Sequence, residues 1–295
     1  MTKTGKFLLF LFAGSLAVWF LVFSGGMGGN LETVFLDVGQ GDAVLIKSPE
    51  GRTMLIDGGP NNKVLEGLGK YLPALSKNID VVILTHPHAD HVTGLVEVFK
   101  RYDIGTLVLS GAGLKSDVYG EFLKTAASKN VPVVLAEAGI AVHLEKDLEF
   151  DILSPERAPE LVFNKNSESF GAAGGDLNDT SVVGKLIFKD FSILLTGDAT
   201  SKIENRLLVY GGNLKSGILK AGHHGSKYSS SLQFLKLVSP KAAMIEVGAK
   251  NRYGHPAEPA LDRLRMIGAE IFRTDLNGDI KVVSDGFTAN IFKEK

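Results

Sequence analysis

Apolar residues recur in short runs along the chain after residue 30, and glycine or "SPEG" separates these runs. The runs 32–39, 42–48 and 52–59 are rich in residues that favour strands, so they predict three strands joined by tight turns. Residues 61–76 follow with a helical pattern, although Pro73 is poorly tolerated near the end of such a helix.

From residue 79 onward, strand-like and helical patterns alternate. The strand-like segments are residues 79–85, 105–109, 131–135, a region near 140–153, 181–188, 191–196 and 215–221. The helical segments are residues 91–101, 117–129 and 200–210. A stretch rich in Gly, Ser and Asn at 164–180 predicts a surface loop, and Asn277-Gly278 predicts a type I′ turn within a final hairpin through "LNGD". The alternation predicts an α/β layered fold with buried sheets.

The N-terminal segment contains one long apolar run instead of the short runs that follow residue 30. Lys3 and Lys6 precede the uncharged run 7–23, which at about 1.5 Å per residue nearly crosses a hydrocarbon core of about 30 Å. The run is long for a cleaved signal peptide and no A-x-A-like site follows it, so an uncleaved anchor is the favoured interpretation. We therefore expect residues 1–30 to be a transmembrane anchor with a Gly-rich linker, and residues 31–295 to be the folded domain.

The lysines before the apolar run set the expected orientation. Positive residues tend to stay in the cytoplasm, so the folded domain is expected at the cell membrane, facing outward. Cleavage would instead give a secreted or periplasmic protein.

Composition narrows the chemistry. The chain has 295 residues, of which 44% are hydrophobic and 22% are charged, as in a globular protein with a large core. The net charge of −1 does not support general electrostatic capture of nucleic acid, so any polyanion must bind a local patch. The absence of cysteine excludes disulfides, a thiolate nucleophile and thiolate metal ligands.

Three of the seven histidines lie in "THPHADH", directly after the apolar run 79–85. His86 and His88 are two residues apart and can point the same way, while Asp90 and His91 begin the next helix. Sites in α/β folds lie at the carboxyl ends of strands, and imidazole and carboxylate suit zinc, iron or manganese. Capping or surface roles do not account for four such residues at one strand-to-helix turn.

Later segments add candidates. Asp198 ends a second buried strand in "LTGD", where it could bind metal or cap the next helix. His223 and His224 follow the strand 215–221. Adjacent residues of an extended chain point to opposite sides, so only one of the two is expected to bind metal directly and the other to contact substrate. His255 lies at a turn in "YGHP".

These motifs carry a family resemblance. "THPHADH" resembles the HxHxDH signature of the metallo-β-lactamase fold. "FLDVGQGDAVLI", "LIDGG", "LTGD", "LKAGHHGSKYSSS" and "YGHP" are similar to the extracytoplasmic hydrolase domain of ComEC-type DNA-uptake proteins, across residues 31–292. The resemblance implies a four-layer αββα sandwich around one or two divalent ions, Zn²⁺ or Mn²⁺.

The resemblance also implies roles for individual residues. The expected metal ligands are His86, His88, Asp90, His91, Asp198, His224 and His255. The expected catalytic residues are Asp90, His223 and His224. The residues expected to support a ligand or contact substrate are Asp42, Asp57, Asn178, Asp179, Ser226 and Lys227. Asn178 and Asp179 stand in "DLNDTS", where many proteins of this fold have a further histidine, which puts a fully occupied first metal site in doubt.

A site of His and Asp without Cys is suited to hydrolysis, because two ions lower the pKa of a water molecule and polarise the substrate. Lys220, Lys227, Lys250, Arg252 and nearby serines favour a phosphodiester. We therefore predict a metal-dependent phosphodiesterase, a nuclease acting on DNA outside the cytoplasmic membrane. The lack of an aromatic-rich basic groove weighs against nucleic acid.

Two alternatives stay open at this stage. One is hydrolysis of a small or surface-linked phosphodiester such as a phosphocholine ester. The other is a non-catalytic, membrane-tethered component that binds DNA in an uptake system. The sequence indicates no protein partner in any of these cases.

Overall fold

The computed structural model describes residues 5, 10–15, 29–157, 176–210 and 212–295. The strands are β1 (Leu31–Phe35), β2 (Val44–Lys47), β3 (Thr53–Ile56), β4 (Asn78–Leu84), β5 (Asp103–Leu109), β6 (Val133–Leu135), β7 (Ala141–Glu145), β8 (Leu148–Ser154), β9 (Val183–Phe188), β10 (Phe191–Leu195), β11 (Ile218–Lys220), β12 (Ala242–Ile245), β13 (Glu270–Arg273), β14 (Ile280–Ser284) and β15 (Ala289–Lys293). The helices are α1 (Lys63–Tyr71), α2 (Ala89–Arg101), α3 (Asp117–Ser128), α4 (Ser201–Tyr210), α5 (Leu232–Val238), α6 (Glu258–Met266) and α7 (Thr274–Asn277).

The described strands form two sheets. The first has the order β15-β14-β1-β2-β3-β4-β5-β6, and the second has the order β13-β12-β11-β10-β9-β8-β7. Strands β3 to β6 run parallel in the first sheet, as do β10 to β13 in the second. Each sheet therefore has a set of parallel carboxyl ends at which polar side chains can gather.

Apolar side chains alternate between two sides of each sheet, which explains the layers. On β4, Val81 and Ile83 face a core shared with Ile193 of the second sheet, whereas Val82 and Leu84 face α1, α2 and α3. The other side of the second sheet packs against α4, α5 and α6. Burial of each such side chain stabilises the fold by about 1.5–3 kcal/mol. The predicted αββα sandwich is confirmed.

The predicted final hairpin was misplaced. Asn277 ends the short helix α7, and Gly278 follows with φ of 65°. The hairpin instead joins β14 to β15, where the Asp285 carboxylate accepts the backbone N–H groups of Phe287 and Thr288. The physical reason is topological: β13 belongs to the second sheet and β14 to the first, so the segment between them has to cross from sheet to sheet.

Other helix and strand boundaries in the structure differ from the predicted ones by a few residues. The helix predicted at 61–76 ends at Tyr71, two residues before Pro73. Most of the predicted membrane segment 7–23, and residues 164–175 of the predicted loop, lie outside the described residues. Residues 10–15 are helical. Among the described residues, no helix has both the length and the apolar character needed to cross a membrane.

Candidate metal centre

The turn between β4 and α2 carries four of the predicted residues. His88 is still extended, with φ −67° and ψ 151°, and the helix begins at Ala89. The buried His86 places its Nε2 atom 2.9 Å from Nδ1 of His88. His91 is fully buried one position after Asp90, whose side chain is 31% exposed. The turn thus directs imidazole and carboxylate groups toward one point at the end of β4.

Asp198, which follows β10, occupies that point. Its Oδ2 atom lies 3.9 Å from His86 Nε2 and 3.3 Å from His91 Nε2. The same oxygen lies 3.8 Å from His223 Nε2 and 3.4 Å from His224 Nε2. One buried carboxylate oxygen therefore faces four imidazole nitrogens from two separate turns.

The backbone at His223 and His224 differs from the extended conformation that the sequence predicted. Both have left-handed backbone conformations, with φ of 49° and 53°, rather than the extended conformation that would separate their side chains. The turn lets both imidazoles approach Asp198. The Nδ1 atom of His224 is 2.9 Å from the backbone oxygen of Glu246, which leaves Nε2 free to face the centre.

A pocket of about 300 Å³ opens onto this centre. Its lining residues are Gln40, His88, Ala89, Asp90, Asn178, Asp198, His223, His224, Tyr253 and His255. The His255 ring lies 5.6 Å from the His223 ring, and burial together with His223 lowers the pKa of His255 to about 4. His255 is therefore neutral at pH 7 and lines the same pocket as Asp198.

Asp57 lies where the resemblance places it, behind His91. Its Oδ2 atom is 2.8 Å from His91 Nδ1, and its two oxygens accept the backbone N–H and the hydroxyl of Thr85 at 2.8 and 2.7 Å. With Nδ1 held in this way, Nε2 of His91 points toward Asp198. Such support fixes the orientation of a ligating histidine.

Lys220 and Glu246 are buried beneath the centre. Lys220 forms an ion pair with Asp42, and its ammonium donates a 2.8 Å hydrogen bond to the Gly197 carbonyl oxygen. Lys220 therefore cannot be the surface phosphate contact that its sequence position suggests. The other Asp42 oxygen is 3.2 Å from His224 Nδ1, the atom that also lies 2.9 Å from the Glu246 backbone oxygen.

Glu246 was not predicted from the sequence. It directly follows the apolar strand β12, in the same way that Asp57 directly follows β3. One of its oxygens accepts the Ala43 backbone N–H at 2.8 Å. Burial, reinforced by the Asp42 charge, raises the pKa of Glu246 well above its usual range. A polar residue directly after an apolar strand is the sequence signal by which Glu246 could have been found.

The titration of the cluster follows from its charges. Burial alone lowers the pKa of His91 and His224. The carboxylates around each histidine, Asp198 with Asp57 for His91 and Asp198 with Asp42 for His224, together outweigh burial and raise both pKa values well above their usual range. Burial, with the charge on His91, lowers the pKa of His86 well below its usual range. Although burial raises the pKa of Asp198, the charges of His224 and His91 lower it far more.

The donor set fits a divalent ion. His91 Nε2, His224 Nε2 and Asp198 Oδ1 are buried atoms with no hydrogen bond among the described residues. One ligand atom from each of Asp90, His91, Asp198 and His224 lies within 4.8 Å of the others. Asp42, Asp57 and His91 form a second such group, but Lys220 and Thr85 already bind its carboxylates. The first group is the better candidate.

Three predicted residues lie away from the centre. Asp179 accepts hydrogen bonds from the Thr200 hydroxyl at 2.5 Å and from the Lys202 ammonium at 2.9 Å, whereas its neighbour Asn178 lines the pocket. The Ser226 hydroxyl accepts the Tyr228 N–H, and Lys227 is exposed. His143 lies on β7, where its Nδ1 atom is 3.2 Å from the Glu149 carboxylate.

Comparison with known proteins identifies the class. Residues 36–248 match the family model described as the metallo-beta-lactamase superfamily. The chain therefore belongs to this superfamily, whose members are generally metal-dependent hydrolases, and it has a matching group of candidate ligands.

Its relatives include ComEC-type competence proteins. The chain is 30% identical over 267 residues to ComE operon protein 3 of Bacillus subtilis (strain 168), covering 85% of this chain and 32% of that protein. It is 30% identical over 247 residues to competence protein ComA of Neisseria gonorrhoeae, covering 83% of this chain and 31% of that protein. The chain thus spans about a third of the length of these relatives.

A solved structure supports the fold. CmlA, a diiron beta-hydroxylase from Streptomyces venezuelae, is similar with a TM-score of 0.50 and 16% identity, over 90% of this chain and 54% of that one. At this identity the likeness concerns the fold alone.

Proposed function

We propose that this protein is a metal-dependent phosphodiesterase that cleaves DNA outside the cytoplasmic membrane. The observation that carries the proposal is the position of Asp198 Oδ2, which lies within 3.3–3.9 Å of four imidazole nitrogens at the base of an open pocket. The competence relatives support a role in DNA handling.

In this proposal the ligands of a first and a second ion are His86, His88, Asp90, His91, Asp198, His224 and His255, with Asp198 between the two halves of the site. When bound, divalent ions lower the pKa of a water molecule and polarise the phosphoryl group. In the metal-free fold Asp90 is ionised and suited to bind a cation, because the charges of His91 and His224 and a hydrogen bond from His224 together outweigh burial and lower its pKa.

Pocket residues position the substrate. His223 is half-buried and neutral, since burial lowers its pKa, and it can donate a hydrogen bond to a phosphate oxygen. The Asn178 amide lines the same pocket and its Oδ1 atom has no hydrogen bond among the described residues, so the amide is available to substrate or metal. We further propose that residues 7–23 hold the domain at the outer side of the membrane, in line with the two lysines that precede them.

The test combines metal analysis with turnover. Chelated full-length protein is reloaded with Zn²⁺ or Mn²⁺, bound metal is counted by inductively coupled plasma measurement, and hydrolysis is followed on bis(p-nitrophenyl) phosphate, single-stranded DNA and a phosphocholine ester. We expect Asp198→Asn to reduce diester turnover by more than about a hundredfold, because the ions supply several kcal/mol of transition-state stabilisation.

The control is His143→Gln, which changes an exposed histidine on β7 and is expected to retain full turnover. Metal-loaded protein that binds DNA without cleaving any diester would overturn the hydrolase proposal and support a binding component. Turnover of the phosphocholine ester alone would overturn the nuclease assignment.

A further inference from the structure

Tyr253 is a large aromatic side chain exposed beside the candidate metal centre. Its residue surface is 57% exposed, and it lines the pocket together with Asp198 and His223. The tyrosine ring lies nearly parallel to the His255 ring, with an interplanar angle of 16° and 6.1 Å between centroids. The carbon of the Arg252 guanidinium is 5.3 Å from the tyrosine ring, and Arg252 Nη2 donates to the Tyr253 hydroxyl oxygen at 3.3 Å.

A second pair of the same kind follows the histidine turn. Tyr228 is 65% exposed, and the Lys227 ammonium lies 5.0 Å from its ring centroid. The backbone carbonyl of Tyr228 accepts the Ser201 N–H at 2.8 Å, which ties this segment to the first residue of α4. Two exposed tyrosines, each with a cation at its ring, thus lie in the two segments that carry His223, His224 and His255.

Hydrogen bonds hold the Tyr253 loop in place. The Asn251 side-chain amide donates to the backbone oxygens of Gly248 and His255, at 2.8 and 2.7 Å. Its carbonyl oxygen accepts the N–H groups of Tyr253 and His255 at 3.2 and 3.0 Å. The ring is therefore presented on an ordered backbone, which lowers the entropic cost of binding a flat ligand.

The chemistry of the pair indicates its ligand. Every nucleobase has a π face that can stack on an aromatic side chain, and a nearby arginine or lysine pairs with the adjacent phosphate. A quaternary ammonium group would also favour an aromatic face, but the Arg252 charge beside Tyr253 would repel it. In a duplex the bases are stacked on each other and are not offered to a side chain.

We propose that Tyr253 and, in the segment that follows His224, Tyr228 are stacking platforms for unpaired bases, so that the substrate class of this site is single-stranded nucleic acid. This inference rests on the proposed phosphodiesterase function for the position of the scissile phosphate, whereas the stacking itself requires neither metal nor turnover. It supplies the aromatic and basic surface that the sequence alone did not reveal.

The test is binding of full-length protein, in the presence of chelator, to fluorescein-labelled single-stranded oligonucleotides measured by anisotropy. One strand carries thymine bases and a second strand of equal length is abasic, so both have the same phosphates. We expect the abasic strand to bind at least about tenfold more weakly, the effect of losing one stacked base. Tyr253→Ala should remove most of this difference, and Tyr253→Phe should preserve it.

Phe287→Ala is the matched control. Phe287 is also 65% exposed with a lysine near its ring, Lys189 at 5.3 Å, but it lies in the β14–β15 hairpin. This variant should bind both strands as the unmodified protein does. Tyr228→Ala should show a loss in the same direction as Tyr253→Ala, and circular dichroism confirms that each variant is folded.

The possible failures are distinguishable. Equal affinity of the unmodified protein for the two strands would overturn the stacking proposal, even if bis(p-nitrophenyl) phosphate is hydrolysed. Tighter binding of a duplex that is insensitive to Tyr253→Ala would overturn it as well. A base-dependent affinity that requires Tyr253, in a protein without diester turnover, would leave stacking intact and overturn the proposed hydrolysis.

Discussion

Asp57 shows how one residue that does not face the pocket sets the geometry of the centre. It has a left-handed backbone, with φ of 60°, and its buried carboxylate connects the backbone and hydroxyl of Thr85 to Nδ1 of His91. Burial raises the pKa of Asp57, and His91 only partly opposes this effect. The position therefore carries a cost in stability that is explained by the orientation it gives His91.

We predict that Asp57→Asn weakens metal binding by about 10- to 100-fold, the usual effect of losing the partner of a ligating histidine. Asparagine keeps the size of the side chain and tolerates the left-handed backbone, so the fold should persist. Metal affinity is measured by competition with a chromophoric chelator. Asp80→Asn is the control, because Asp80 accepts the backbone N–H and the hydroxyl of Thr53 in the same way without touching a histidine. Equal losses in both variants would contradict this role.

Site residues that directly follow an apolar strand could be predicted from the sequence, because their position in the chain alone identifies them. His86, His88, Asp90, His91 and Asp198 come directly after apolar strands, and the structure brings them together as expected. The role of Lys220 could not be predicted, because its burial depends on Asp42 more than a hundred residues away in the sequence. The joint approach of His223 and His224 to Asp198 depends on a left-handed turn that the alternation rule does not describe.

At the scale of elements, the position of α2 decides whether Asp90 and His91 reach the centre. The helix lies very close to the turn after β3, since Gly94 donates its backbone N–H to the Gly59 carbonyl oxygen at 3.0 Å. A β-carbon added at Gly94 would overlap the carbonyl oxygens of Gly58 and Asn61. The helical pattern predicted α2 to within two residues of its start, but it carried no information about this close approach.

We predict that Gly94→Ala destabilises the protein by about 1–3 kcal/mol, the usual cost of overpacking, although alanine is the better helix former. It should also weaken metal binding, because the displaced helix carries Asp90 and His91. Urea unfolding and the same chelator competition provide the measurements. Gly120→Ala in α3 is the control: nothing lies within 4 Å of the added carbon, so it should stabilise by about 0.5–1 kcal/mol. If Gly94→Ala changed neither the stability nor the metal affinity, the helix would be free to shift and this prediction would be wrong.

At the scale of the whole molecule, the centre joins the two sheets. Residues 86–91 follow β4 of the first sheet, whereas Asp198 and residues 223–224 follow strands β10 and β11 of the second. The layered α/β class could be predicted from alternating patterns, while the four-layer arrangement came from the resemblance of motifs. The crossing of the chain after β13 could not be predicted, because it depends on which sheet each neighbouring strand joins.

A metal ion held between the sheets should stabilise the fold, by about 2.7 kcal/mol when free metal is 100 times Kd. Protons compete with the ion for the histidine nitrogens. In the metal-free fold the raised pKa values of His91 and His224 keep both imidazoles charged near pH 7, which contributes stability below the unfolded pKa of about 6.5 and loses it as pH rises through the raised values. His86 is already neutral, because burial lowers its pKa, and Asp198 remains ionised throughout.

The difference in Tm between metal-loaded and chelated protein should therefore grow from pH 6 to pH 8, because the protons that the ion displaces from His91 and His224 are released more easily as pH rises. Differential scanning calorimetry at fixed free Zn²⁺ or Mn²⁺ measures this difference at each pH. Asp198→Asn should show almost no metal-dependent shift, whereas His143→Gln, whose imidazole lies on the exposed side of β7, should behave as the unmodified protein does. A Tm difference that stays constant between pH 6 and pH 8 would mean that His91 and His224 hold no protons for the ion to displace.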